Sequence, residues 1–142
     1  MSPFAAALFI AFYVGHLLGD YVVQTDRMAK LKVAGASVSA WRSWLANQCH
    51  VATYSLAIAA TVLLTLAVGG SLNELGAVPW WRWLVAATAN WAAHFVIDRR
   101  WPVRRLMEAT GSGPFFRNGG ALHIDQILHL LTLLILAAFL PR

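Results

Sequence analysis

The sequence predicts an all-α, polytopic membrane protein built as a four-helix up-down bundle, and three observations carry that prediction. Of its 142 residues, 59% are hydrophobic and only 12% charged, whereas a soluble domain carries about a quarter charged residues. Four apolar stretches, near residues 3–23, 49–70, 80–98 and 122–140, each approach the ~20 residues that cross a bilayer. Nine of the eleven Lys and Arg fall in two of the linkers between those stretches, the alternation expected of a chain that crosses and recrosses a membrane.

The first stretch lacks a basic leader and is interrupted by His16 and Asp20, so it reads as a span rather than a signal peptide. The linker after it holds Arg27, Lys30, Lys32 and Arg42. Asp26, just beyond the helix, is expected to cap a turn or pair with Arg27 or Lys30. The segment VSAWRSWLANQ (38–48) reads as a short amphipathic piece that turns Trp41, Trp44 and Leu45 toward headgroups. The second stretch opens with Cys49, the lone cysteine, which excludes an internal disulfide. PWWRW (79–83), with Trp91 or Trp101, supplies interfacial aromatics for the third stretch. RRWPVRR (99–105) is a basic juxtamembrane cluster, and Arg99, Arg100, Arg104 and Arg105 with Lys30 and Lys32 form the expected set for anionic headgroups or phosphate. GSGPFFRNGGA (111–121) reads as a mobile Gly-rich loop able to cover a site or to offer backbone N–H groups to a phosphate. The spans fill more than half the chain, which therefore reads as one domain over 1–142. With Arg82 and Arg142 the only basic side chains on the far side, the charge bias places both long linkers in the cytoplasm and both termini outside. The apolar spans are read as lacking a clean Gly-x3-Gly association pair, so homo-oligomerisation is left open.

The polar residues inside the spans are the informative ones. His16 and Asp20 lie near the end of the first stretch, His50 at the start of the second, His94 and Asp98 at the end of the third, and Asp125 and His129 at the start of the fourth. An up-down topology brings these four ends to one leaflet. HLLGD and HFVID are both H-x3-D, and DQILH is the reverse; residues four apart share a helix face. His16 and His50 are 34 apart and His94 and His129 are 35 apart, a spacing that suggests two duplicated hairpins. Ionisable groups in hydrocarbon cost several kcal/mol unless paired, hydrated or bound.

Imidazole and carboxylate together suit a transition metal: zinc first, with manganese, iron or nickel as alternatives, as one or two ions. All seven residues are candidate ligands. His16, Asp20, His94, Asp98 and Asp125 are the candidate catalytic groups, and Gln24, Asn47, Asn90 and Gln126 the polar supports. Against this stands a plainer role, interhelical hydrogen bonding worth roughly 0.6–2 kcal/mol per contact. His123, two residues from Asp125, falls on another face and is expected at the rim. No nucleophile elbow, HExxH helix, Walker lysine or dinucleotide fingerprint is present, and nothing points to nucleic acid. The expected function is metal-dependent hydrolysis, at the cytoplasmic leaflet, of an ester or phosphoester in a lipid or membrane-presented substrate. The alternatives are a divalent-metal or proton transporter, a b-type haem protein, and a holin-like protein without chemistry.

HLLGDYVVQTDRMAKLK (16–32), His50, HFVID (94–98) and IDQILHLL (124–131) resemble a family of small bacterial and phage integral-membrane proteins classed as a domain of unknown function. Its pattern joins H-x3-D to Q-T-D-x-M-A-x-x-K and a later D-Q-x-x-H. The resemblance implies a bacterial inner-membrane location and covers nearly the whole chain. In layout the chain is more loosely similar to membrane-bound metal-dependent hydrolases, which also place His and Asp at helix ends.

Overall fold

The computed structural model describes residues 1–33, 35, 38–70 and 72–141; Arg142, counted above on the outer side, lies outside them. All regular structure among the described residues is helical. Helix α1 spans Pro3–Leu17. Ser2 Oγ accepts from Ala5 N at 3.1 Å, and Pro3 sits in the first turn, where its missing N–H costs nothing. The helix then widens without a break into a π-helical segment, Leu18–Val23, closed by Gln24 N donating to the carbonyl of Gly19, five residues back, at 3.1 Å. Helix α2 (Asp26–Leu31) follows, capped by Thr25 Oγ1, which accepts from Met28 N at 3.2 Å; Asp26 is not the cap.

Helix α3 runs from Ala40 to Val68, 29 residues without a glycine or proline, and ends at Gly69–Gly70, with Gly70 at φ 67°. The amphipathic segment expected at 38–48 is therefore not a separate piece but the opening turns of this helix, with Trp41, Trp44 and Leu45 exposed. After the short α4 (Leu72–Ala77) comes α5 (Trp80–Ile97), then α6 (Trp101–Ala109), entered through Arg100 in the left-handed region at φ 60°. The expected loop at 111–121 is largely helical from Gly113 onward. Pro114 helps start α7 (Gly113–Phe115), and a π-helical turn, Phe116–Gly120, kinked at Asn118–Gly119, leads into α8 (Ala121–Phe139).

Three of these helical stretches are long and apolar enough to cross a membrane: Pro3–Val23, Ala40–Val68 and Gly113–Phe139. The fourth expected span, 80–98, is α5. Trp80, Trp81, Trp83 and Trp91, with Arg82, Asn90 and His94, dilute its apolar content. At its start, Arg82 Nη1 donates to the carbonyl of Leu140 at 3.3 Å, so this cation neutralises the C-terminal end of α8.

The long helices pack in a ring, α1 on α3, α3 on α5, α5 on α8 and α8 on α1. The α1–α3 seam is the closest. A Cβ on Gly15 would strike Thr61 Oγ1 and come within 2.8 Å of Ile58 Cα, and one on Gly19 would lie 2.6 Å from the Tyr54 ring. Gly15 and Gly19 thus form the Gly-x3-Gly pair thought absent, and its partner is α3 of the same chain. Leu8, Phe12, Tyr54, Ile58, Val62, Leu66, Leu133 and Leu136 fill the interior, while Ile10, Leu56, Leu64 and Ile135 face outward. That outward apolar surface is what a lipid-facing wall presents.

Candidate metal centre

The ring of helices brings the end of α1, the first half of α3, the end of α5 and the start of α8 together, and their polar residues meet inside. His16, Asp20, His50, His94, Asp98 and His129 are all buried. The tightest set is Asp20 Oδ1, His50 Nε2, His94 Nε2 and Asp98 Oδ2. The two imidazole nitrogens are 3.0 Å apart. Asp20 Oδ1 lies 3.2 Å from His50 Nε2 and 3.4 Å from His94 Nε2. Asp98 Oδ2 lies 3.2 and 3.1 Å from the same atoms.

Hydrogen bonding alone does not account for this crowding. His50 Nε2 and His94 Nε2 carry at most one proton each, too few to make hydrogen bonds of all five of these close contacts. Asp20 Oδ1, His50 Nε2 and His94 Nε2 are separated by distances near the about 3.3–3.4 Å edge of a tetrahedral shell with ~2.0–2.1 Å bonds, whereas Asp20 and Asp98 share none of the ligand sets. These buried His and Asp groups can hold a metal ion, in three overlapping sets: Asp20, His50 and His94; His16, Asp20 and His129; and His94, Asp98 and His129.

The surroundings orient this set. Lys32 Nζ donates to Asp98 Oδ1 at 2.9 Å in a buried pair, leaving Oδ2 to face the imidazoles. Arg99 Nη1 donates to the carbonyl of Lys32 at 2.7 Å and to Ser43 Oγ at 2.8 Å, and its guanidinium lies 4.1 Å from the Trp44 ring centre. Burial lowers the Arg99 pKa from its ordinary value, and the stacked ring and carbonyl still hold it in place. Lys32 and Arg99 were expected at the headgroup surface and instead serve inside the protein. The long stems of both let the charge reach inward once a carboxylate or carbonyl satisfies it. Lys30, Arg100, Arg104 and Arg105 remain exposed, with Arg104 Nε donating to Glu108 at 2.8 Å.

The expected supports divide in the same way. Gln126 sits between two site residues: His16 Nε2 donates to its Oε1 at 2.8 Å, and its Nε2 lies 3.5 Å from Asp20 Oδ2. Gln24 Nε2 donates to the backbone carbonyl of Asp20 at 3.1 Å and so secures the π-helical turn. Asn47 Nδ2 donates to Phe95 O at 2.8 Å, tying α3 to α5. Asn90 is buried one turn before His94, beside an apolar cavity. Asp125 stays outside the three ligand sets, half-buried, its Oδ2 3.6 Å from His129 Nδ1. His123 is exposed and stacks on Phe115. Tyr54 joins the site as well: an uncharged aromatic in an apolar stretch carries no signal of its own, and only its place four residues after His50 puts it on the same face. Fully buried, its ring centre lies 3.7 Å from that of His94 and 5.8 Å from that of His16, and it closes the apolar side of the centre.

A family model described as a protein of unknown function, DUF3307, matches residues 8–141. No curated protein and no solved structure matches the chain.

Proposed function

We propose that this chain, which belongs to the DUF3307 family of proteins of unknown function, is a membrane-embedded metal-dependent hydrolase. Its substrate would be an ester or phosphoester of a lipid or membrane-presented molecule, and its metal zinc first, with manganese, iron or nickel as alternatives. The carrying observation is that two buried imidazole nitrogens, 3.0 Å apart, each lie 3.1–3.4 Å from a carboxylate oxygen of Asp20 and of Asp98. The His50 and His94 nitrogens leave no gap between them for a porphyrin, which disfavours the haem alternative.

Asp20, His50, His94 and Asp98 would hold the ion, and Lys32 would fix the Asp98 carboxylate and offset its charge. A bound divalent ion supplies a water acidified toward neutrality and polarises the scissile bond. Asp125, half-buried and outside the ligand sets, would take the proton of that water and pass it to solvent. Exposed Arg100, Arg104 and Arg105 suit an anionic headgroup. An apolar cavity of about 290 Å³ starts one turn beyond Tyr54, lined by Phe12, Ile58, Val62, Trp83, Ala86 and Leu133, and suits a hydrocarbon chain. In this reading α5 is a fourth span, and the charge bias sets the site at the cytoplasmic leaflet.

Elemental analysis of detergent-purified protein tests the proposal. Wild type should carry at least one equivalent of transition metal, His94→Ala and Asp98→Ala should lose it, and chelation should stop hydrolysis of anionic phospholipid vesicles. Protein without stoichiometric metal, with ligand variants binding as much as wild type, would overturn it.

A further inference from the structure

We propose that the centre holds two ions, with Asp20 as the bridging carboxylate; this rests on the metal reading above and adds a second position to it. The two oxygens of Asp20 face different partners. Oδ1 joins His50 and His94, whereas Oδ2 lies 3.5 Å from Gln126 Nε2 and 3.7 Å from His16 Nδ1. His16, Asp20 and His129 offer donor atoms that all lie within 4.8 Å of one another. Neither His50 nor Asp98 belongs to that set.

His16 and His129 are left over once the first four donors are assigned, and both are prepared as ligands. His16 is fully buried, with Nε2–H donating to Gln126 Oε1 at 2.8 Å. That bond selects the tautomer whose Nδ1 carries a lone pair, and Nδ1 is the nitrogen turned to Asp20; it has no partner among the described residues. A ligating histidine is held in this way, its other N–H fixed by a neighbouring acceptor. His129 is 2% exposed, and neither of its ring nitrogens has a partner among the described residues. Buried polar atoms are nearly always satisfied, so a doubly unpartnered imidazole beside a carboxylate calls for a bound group. Asp125 Oδ2 stands 3.6 Å from His129 Nδ1, beyond hydrogen-bonding distance, and so leaves that nitrogen unpartnered. Its ring centre is 4.2 Å from that of His94 and 5.3 Å from that of His16, so the second position adjoins the first. Two-metal hydrolases share one bridging carboxylate between ions about 3.5–4 Å apart, and Asp20 presents an oxygen to each donor set.

Metal-stripped, detergent-solubilised protein is titrated with Mn²⁺; bound metal per chain is measured, and electron paramagnetic resonance reports whether the ions are coupled. Two equivalents in wild type with an exchange-coupled signal, and one equivalent without coupling in both His129→Ala and His16→Asn, are expected. Saturation of wild type at one equivalent that His50→Ala removes would overturn the second ion while leaving the single-ion hydrolase standing. Retention of two coupled ions in both His129→Ala and His16→Asn would also overturn it, since these residues would then not be ligands. No bound manganese in wild type, nor zinc in a repeat titration, would end both readings.

Discussion

At the scale of single residues, the Lys32–Asp98 pair separates structural from surface charge. Lys32 is buried and bonded to Asp98, whereas Arg100 and Arg105 are exposed. Removing one member of a buried pair leaves an uncompensated charge, so Lys32→Met should cost about 3–5 kcal/mol of stability. It should also weaken metal binding some 10–100-fold, because Asp98 loses its orienting partner. Arg100→Ala or Arg105→Ala should stay within about 0.5 kcal/mol. Denaturant unfolding in detergent, with and without metal, checks both; a Lys32→Met protein as stable as wild type would place that side chain in solvent. Six of the seven His and Asp candidates meet in the buried cluster, with Asp125 outside the ligand sets, and they stood out in the sequence because ionisable groups are rare in apolar stretches. The internal roles of Lys32 and Arg99 were not, because a basic residue beside a span reads the same whether it snorkels outward or folds back onto a carboxylate.

At the scale of elements, the α1–α3 seam sets where Asp20 stands. Gly15 and Gly19 let the two backbones approach, and the π-helical turn at Leu18–Val23 then carries Asp20 toward His50. Gly15→Ala would push Ile58 and Thr61 away, an overpacking cost of about 1–3 kcal/mol, and would draw Asp20 back from His50. Reduced stability together with at least a tenfold loss of metal affinity is expected from thermal unfolding and metal titration. Loss of stability with unchanged affinity would show that the seam does not position the carboxylate. Spacing of four identified the shared face of His16 and Asp20, but it assumes a regular α-helix. The switch to a wider helix depends on how the segment packs against α3 and on the Gln24 bond to Asp20 O. It leaves no periodic trace in the sequence.

At the scale of the whole molecule, the polar centre and the apolar cavity lie in one bundle with Tyr54 between them. If the cavity receives a substrate chain, filling it should spare the metal and impair only long-chain substrates. Ala86→Trp, on the cavity wall, should keep wild-type metal content and turnover of a short soluble ester while lowering hydrolysis of long-chain lipid at least tenfold. Parallel loss on both substrates would detach the cavity from the chemistry.

The sequence by itself determined the helical class, four apolar stretches of which three form helices long and apolar enough to cross a membrane, and the gathering of His and Asp at one end, because hydropathy and four-residue spacing are local and additive along the chain. Only the tertiary structure decided which donor atoms meet, that Asp20 divides its oxygens between two histidine sets, that Lys32 and Arg99 turn inward, and that Tyr54 seals the apolar side. Those outcomes depend on the depth of helix approach and on side chains from different elements competing for the same few ångströms, and no distance along the chain encodes that competition.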